Sequence, residues 1–345
     1  MEQGEAVSFV ADPAREAPAA RNLAVGLAVV LGLLGAYLLS ALVFSDLSAL
    51  LHDEAGAFPR TFRFNLVLIL LIGFEVAALR VDGRASSRDF AALSTHVEAA
   101  ENRRAAWRMR LSAPSGWTAC SAMLGGILFG VAIDVIGTAL GGGRSGQWIG
   151  HVVWIHLLNP LQFAVLALLA LTSLRRTRLF SDMGKHVRVR LLDRETLKPF
   201  ARMGLRSAAY WLVGSSVASL LAIDSNVPFV VYALVAATLS LGFLALLLPS
   251  WGIHQLLREA KRVELGWLRH EIEAARGVLA DPAGNRLDAA ARLPALLAYE
   301  SRVERVSAWP FDVPTLVRFG FFVLLGLGSW LGGALVERLV DSALR

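Results

Sequence analysis

The chain of 345 residues has a single cysteine, Cys120. One thiol excludes an intrachain disulfide and any metal site built from several cysteines. Because Cys120 falls inside a long apolar run, it reads as a small core residue. Lysine is nearly as scarce: only Lys185, Lys198 and Lys261 occur among 34 basic residues, and the rest are arginine. That bias points to a GC-rich bacterial genome. Also missing are a phosphate-cradling glycine loop, a Walker pattern, a nucleophile elbow and a metalloprotease helix. Gly141-Gly142-Gly143 follows an apolar run, so it reads as a hinge rather than a nucleotide loop. The seven histidines form no i, i+4 pair with a third ligand nearby, and His96, His186, His254 and His270 are scattered through polar segments. No metal, no cofactor and no enzymatic activity are expected.

What the chain has in abundance is apolar length, at 55% hydrophobic residues. Crossing a hydrocarbon core of about 30 Å takes roughly 20 mainly apolar residues. Seven stretches meet that length: Leu23 to Phe44, Phe62 to Leu79, Trp117 to Leu140, Trp148 to Leu174, Gly204 to Ile223, Val227 to Leu248 and Pro314 to Leu335. The second is interrupted by Arg63, Asn65 and Glu75, yet discarding it would put an arginine-rich loop on the wrong side. The first is preceded by Glu2, Glu5, Asp12 and Glu16 and followed by no small-residue cleavage pattern, so it reads as a retained signal anchor. The expected fold is all-α: a polytopic integral membrane protein of seven transmembrane helices, with a cytoplasmic helical hairpin between helices six and seven.

Basic residues in short loops stay cytoplasmic. Arg80, Arg84, Arg88, Arg103, Arg104, Arg108 and Arg110 follow span two, ten basic residues lie between Arg175 and Arg206, and nine between Arg258 and Arg305. The alternate loops hold almost none. The N-terminus is therefore expected in the cytoplasm and the C-terminus outside, in a bacterial inner membrane. The organisation that follows has a cytoplasmic tail at 1–22. Transmembrane helices one to six occupy 23–250, with arginine-rich cytoplasmic loops at 80–116 and 175–203. A cytoplasmic helical hairpin at 251–313 precedes the seventh helix and a short external C-terminus at 314–345.

The cytoplasmic segments read as helical. Ser87 is an expected N-cap for a helix in which Phe90, Leu93, Val97, Ala100, Trp107 and Leu111 follow three-and-four spacing. Such a basic amphipathic helix lies in the membrane interface or packs on other helices, and the pattern does not choose. Arg103, Arg104, Trp107, Arg175, Arg176 and Arg178 are the candidates for contact with anionic lipid headgroups, at about 1 kcal/mol per well-placed charge. A short strand over Lys185 to Leu191 is less expected than helix or coil. In the hairpin, Trp251 to about Leu279 turns at Asp281-Pro282-Ala283-Gly284-Asn285 into a helix ending near Val306. Trp309 to Pro314 closes it as an elbow at headgroup depth.

Gly126 and Gly130, Gly137 and Gly141, and Gly328 and Gly332 have the spacing that lets helix backbones approach. It permits homo-oligomers without requiring them. Ionisable residues inside a span are costly and so are functional candidates. Asp134 lies in the outer half of span three, and span four returns from that side with His151, His156 and Asn159. A pair of Asp134 with His151 or His156 would change protonation near neutral pH, or it would be a polar clamp between helices. Pro160 is expected to kink span four or free a carbonyl. Glu75, near the inner end of span two, is expected to pair with Arg80, Arg206 or Arg318, or to serve as a gate charge.

Two functional readings follow. The first is an ion channel or a small-solute or ion transporter using Asp134, His151, His156, Asn159 and Glu75. The second is a non-transporting scaffold or sensor whose hairpin and arginine-rich loops engage a cytoplasmic protein or the lipid bilayer. Nucleic acid is not an expected partner beside a membrane.

Overall fold

The structure, a computed structural model, describes residues 13–44, 60–94, 97, 100–111, 114–140, 149–187, 198–222, 229–280 and 286–307, together with 317 and 320. Among them the chain is helical apart from one isolated antiparallel bridge between Val97 and Val187. Eight α-helices follow in order: α1 (Pro13–Phe44), α2 (Arg60–Ser94), α3 (Glu101–Leu111), α4 (Gly116–Leu140), α5 (Ile149–Gly184), α6 (Lys198–Ser219), α7 (Phe229–Ala280) and α8 (Arg286–Glu304). Five of them, α1, α2, α4, α5 and α7, are long and apolar enough to cross a membrane. Helix α6 covers most of the fifth expected span but begins earlier, with Lys198, Arg202 and Arg206 on its first turns, and does not reach that apolarity. The seventh expected span, Pro314 to Leu335, lies outside the described residues except Val317 and Gly320, as do the elbow before it and the three short turns at 141–148, 223–228 and 281–285.

Side-chain pairs fix the helix directions. Helices α1 and α2 are antiparallel: Gly26 meets Gly73 and Ala77, while Tyr37 stacks on Phe62 with ring centroids 5.8 Å apart. Helices α4 and α5 are antiparallel through Gly126 against Phe163 and Gly130 against Pro160. Helices α6 and α7 are antiparallel through Gly242 against Trp211 and a 2.8 Å hydrogen bond from Ser215 to Thr238. By contrast α2 and α5 run parallel, joined by Gln162 to Glu75 and Arg176 to Asp82. So do α5 and α7, where Gly184 faces Ile253 and Gly252 faces Ser181.

The ends carrying the arginines gather around a core of their own. Phe90 and Leu93 of α2, Trp107 of α3, Phe180 and Met183 of α5, Phe200 and Met203 of α6 and Ile253 of α7 are all buried in it. A second core joins α1, α2 and α5 around Tyr37, Ile69, Ile72 and Leu158. At 1.5 Å per residue the 52 residues of α7 extend about 78 Å, far beyond a bilayer's apolar thickness. Helix α8 returns along its second half. Tyr299 reaches Glu264, Arg269 reaches Glu300, and the Lys261 ammonium donates to the carbonyls of Glu304 (2.6 Å) and Val306 (3.0 Å). Both carbonyls lie at the end of α8, where helical hydrogen bonding stops and a cation suits the helix dipole.

Several expectations are corrected. Ser87 caps no helix: α2 continues through it to Ser94, and the Ser87 hydroxyl donates to the Gly83 carbonyl four residues back. Nothing between Arg80 and Ser94 breaks a helix, so the apolar face of α2 runs on through Phe90 and Leu93. The next helix starts only at Glu101. Pro160 lies inside α5, as its place in the apolar run implies, and Pro294 lies inside α8.

Candidate functional site

Among the described residues, three of the polar groups inside the bundle hold ionisable side chains of its long helices, and α5 contributes to each. The first sits between α4 and α5. A Cβ added to Gly126 would overlap the Phe163 carbonyl and lie 2.8 Å from the Ala164 Cα, and one at Gly130 would lie 2.7 Å from the Pro160 Cα. Only glycine lets the backbones approach this closely. One turn beyond Gly130, Asp134 Oδ2 meets His156 Nδ1 in a direct contact. Three residues further along α5, Asn159 Nδ2 donates to the Gly130 carbonyl at 3.2 Å. The Asp134 side chain is 11% exposed and that of His156 44%, so the pair sits at the flank of the helix pair. Pro160 has no N–H, so the helical bond to the carbonyl four residues before it, that of His156, is not made. A carboxyl group, an imidazole and a main-chain acceptor thus share one place. The side chain of His151 lies outside the described residues.

The second group is wholly interior. Glu75 of α2 is 3% exposed and Gln162 of α5 is 6% exposed. Gln162 Nε2 donates to Glu75 Oε1 at 2.9 Å, while Glu75 Oε2 has no partner among the described residues. The expected ion pair of Glu75 with Arg80 or Arg206 does not form: Arg80 is exposed and Arg206 is engaged elsewhere. Arg318 lies outside the described residues. Gln162 was missed in the sequence because an amide in an apolar run signals no partner by itself.

The third group joins α2, α5 and α6 where the apolar stretches end. Asp82, Ser86 and Asp89 occupy one face of α2 at i, i+4 and i+7. Arg206 donates from Nε to Asp82 at 3.0 Å, from Nη1 to Asp89 at 2.8 Å and from Nη2 to Ser86 at 3.2 Å. Arg176 donates to the other oxygen of Asp82 at 2.5 Å. Gly83 leaves room for that guanidinium, which would lie 3.2 Å from a Cβ there. Nearby, the Tyr210 hydroxyl is buried without a partner among the described residues.

The candidates for lipid contact are dispersed. Arg176 is spent on Asp82, Arg175 is half-buried and Arg178 is exposed. Arg103 contacts His186, and Arg104 donates to the Val97 carbonyl at 3.0 Å. Trp107 is 2% exposed, its indole N–H donating to Asp182 at 2.9 Å. Cys120 is exposed, and no group of three or more metal-ligating side chains occurs among the described residues. The chain matches no family model, and no match to a curated protein or a solved structure was found.

Proposed function

We propose that the chain is a multi-pass carrier of ions or small solutes in a bacterial inner membrane, with seven spans, a cytoplasmic N-terminus and an external C-terminus. The count rests on direction as well as on apolarity. Helices α5 and α7 are parallel neighbours, so if both cross the bilayer, the chain between them must cross back. Helix α6 is the only described helix between them. The gathering of arginine-rich ends at one end of the bundle supports this orientation, under which α8 and the second half of α7 are a cytoplasmic hairpin.

The observation that carries the transport reading is the contact of Asp134 with His156 between two helices long and apolar enough to span a membrane. A carboxylate and an imidazole at such a depth are costly to keep there for packing alone. The test is flux of potassium, sodium, chloride and protons into liposomes holding the purified protein. Asp134→Asn should reduce the flux or change its pH dependence while the protein remains folded. Unchanged flux in that variant would sink the assignment.

A second reading is favoured by the hairpin itself. About thirty residues of α7 lie beyond the apolar part, and they expose Val263 and Trp267. As a scaffold or sensor, the protein would pass no ions, and deleting Leu257 to Ser307 would abolish its role. Absence of flux from a folded, oriented sample would favour this reading.

A further inference from the structure

We propose that Glu75 is a proton-binding site, so that the ion moved or coupled by this carrier is H⁺; naming that ion rests on the transport reading. Glu75 lies thirteen residues into the apolar part of α2 that begins at Phe62, about 20 Å along the helix. Its surroundings are protein on every side, at 3% exposure. One carboxyl oxygen accepts an amide N–H from Gln162 and the other accepts nothing among the described residues. A carboxylate buried with one neutral donor is poorly compensated for the water it has lost. A proton on Oε2 removes the charge and leaves Oε1 as the acceptor Gln162 requires.

Among the described residues, no positively charged group of the neighbouring helices is paired with Glu75. On α5 no charged residue occurs between His156 and Arg175, and Arg176 beyond it is engaged by Asp82. On α6 the titratable groups are Lys198, which is exposed, Arg202, exposed and 3.6 Å from Asp89, Arg206, engaged by Asp82 and Asp89, and Tyr210. On α1, Arg21 is exposed, and Tyr37 meets Asn65 about ten residues away along α2. On α2 itself, Arg63 and Arg80 are exposed. A bare metal cation fits poorly, because an N–H already points at Oε1 and no second carboxylate joins Glu75 among the described residues. A proton needs one oxygen only. The ionisable side chains that flank this pair along its two helices are His156, six residues before Gln162 on α5, and Asp82, seven residues after Glu75 on α2. Each is about 10 Å away along its helix.

Difference infrared spectroscopy of the intact protein in lipid, wild type minus Glu75→Gln, tests this at neutral pH. The expected result is the carbonyl band of a neutral carboxylic acid, present in the wild type and lost in the variant. Carboxylate bands in its place would overturn the site. Should Glu75→Gln fail to fold, the unsubstituted protein decides, because dicyclohexylcarbodiimide adds to protonated carboxyls in apolar settings. An adduct on the Glu75 peptide at neutral pH that declines as pH rises supports the site, and no adduct at any pH overturns it. Proton flux into liposomes, read by an internal pH dye, separates the two claims. A neutral Glu75 without flux keeps the proton site and removes the carrier reading. Flux with an ionised Glu75 keeps the carrier and removes the proton site.

Discussion

Arg206 of α6 grips Asp82 of α2, its Nε 3.0 Å from Oδ1, while Arg176 of α5 takes the other oxygen at 2.5 Å. Three helices distant in sequence therefore meet on one carboxylate that is 1% exposed. Removing one partner of such a network strands charges that have no water to return to. Asp82→Ala should cost about 3–5 kcal/mol, and Arg206→Ala a similar amount. In the double variant the two losses should overlap by about 1–3 kcal/mol. Thermal unfolding of the four proteins in detergent measures this, and strictly additive losses would mean that the network is not a unit.

Adjacent glycines on α4 should respond oppositely to the same substitution. A Cβ on Gly125 meets nothing within 4 Å, whereas one on Gly126 runs into the main chain at Phe163 and Ala164. Gly125→Ala should be neutral or slightly stabilising, since alanine is the better helix former. Gly126→Ala must push α4 off α5 at a cost of about 1–3 kcal/mol, and should also loosen the Asp134–His156 contact two turns on. Gly137→Ala, again in open space, is the distal control. Unfolding midpoints of the three variants give the comparison.

Much of this arrangement was legible because it is local. Apolar length marks α1, α2, α4, α5 and the first part of α7. Because α4 and α5 are consecutive in the sequence and antiparallel, Asp134 and His156 come to matching depths. The contacts that escaped reading are those between helices not adjacent in sequence. Gln162 faces Glu75 because α2 and α5 pack side by side and parallel, which no periodicity announces. Asp82 and Asp89 lie in an arginine-rich stretch that hides them, although their spacing with Ser86 marks one helical face. For Trp107, three-and-four spacing marks an apolar face but not what covers it, lipid or protein; in the fold it is buried in the core it shares with residues of α2, α5, α6 and α7.

That burial separates two roles for Trp107. Its indole N–H donates to Asp182, and its ring meets His186 edge-on with centroids 5.8 Å apart. Trp107→Phe keeps most of the ring and loses the donor, for about 1 kcal/mol. Trp107→Ala empties a packed site and should cost about 3–5 kcal/mol. Neither should change quenching of tryptophan fluorescence by brominated lipids beyond the loss of one protein-buried emitter. A marked fall in quenching in Trp107→Phe would instead place this ring in the lipid.

The hairpin carries a pH dependence whose sign can be worked out. Tyr299 donates its hydroxyl to Glu264 at 2.9 Å. That hydrogen bond, helped by partial burial and by the carboxylate's charge, holds the phenol above its usual range. A group whose folded-state pKa is raised contributes stability below its unfolded value, near 10 for tyrosine, and loses it as pH climbs through the folded value. Because the pair is largely solvated, its contribution should be only about 0.5 kcal/mol. The wild type should therefore exceed Tyr299→Phe by that margin at neutral pH, and the margin should vanish in alkali. Thermal melts of both proteins from neutral to strongly alkaline pH measure it, and the comparison cancels the lysines and other tyrosines that titrate in the same range. A margin that grew with pH would mean that the folded hairpin favours the phenolate, and would overturn the donation from Tyr299 to Glu264.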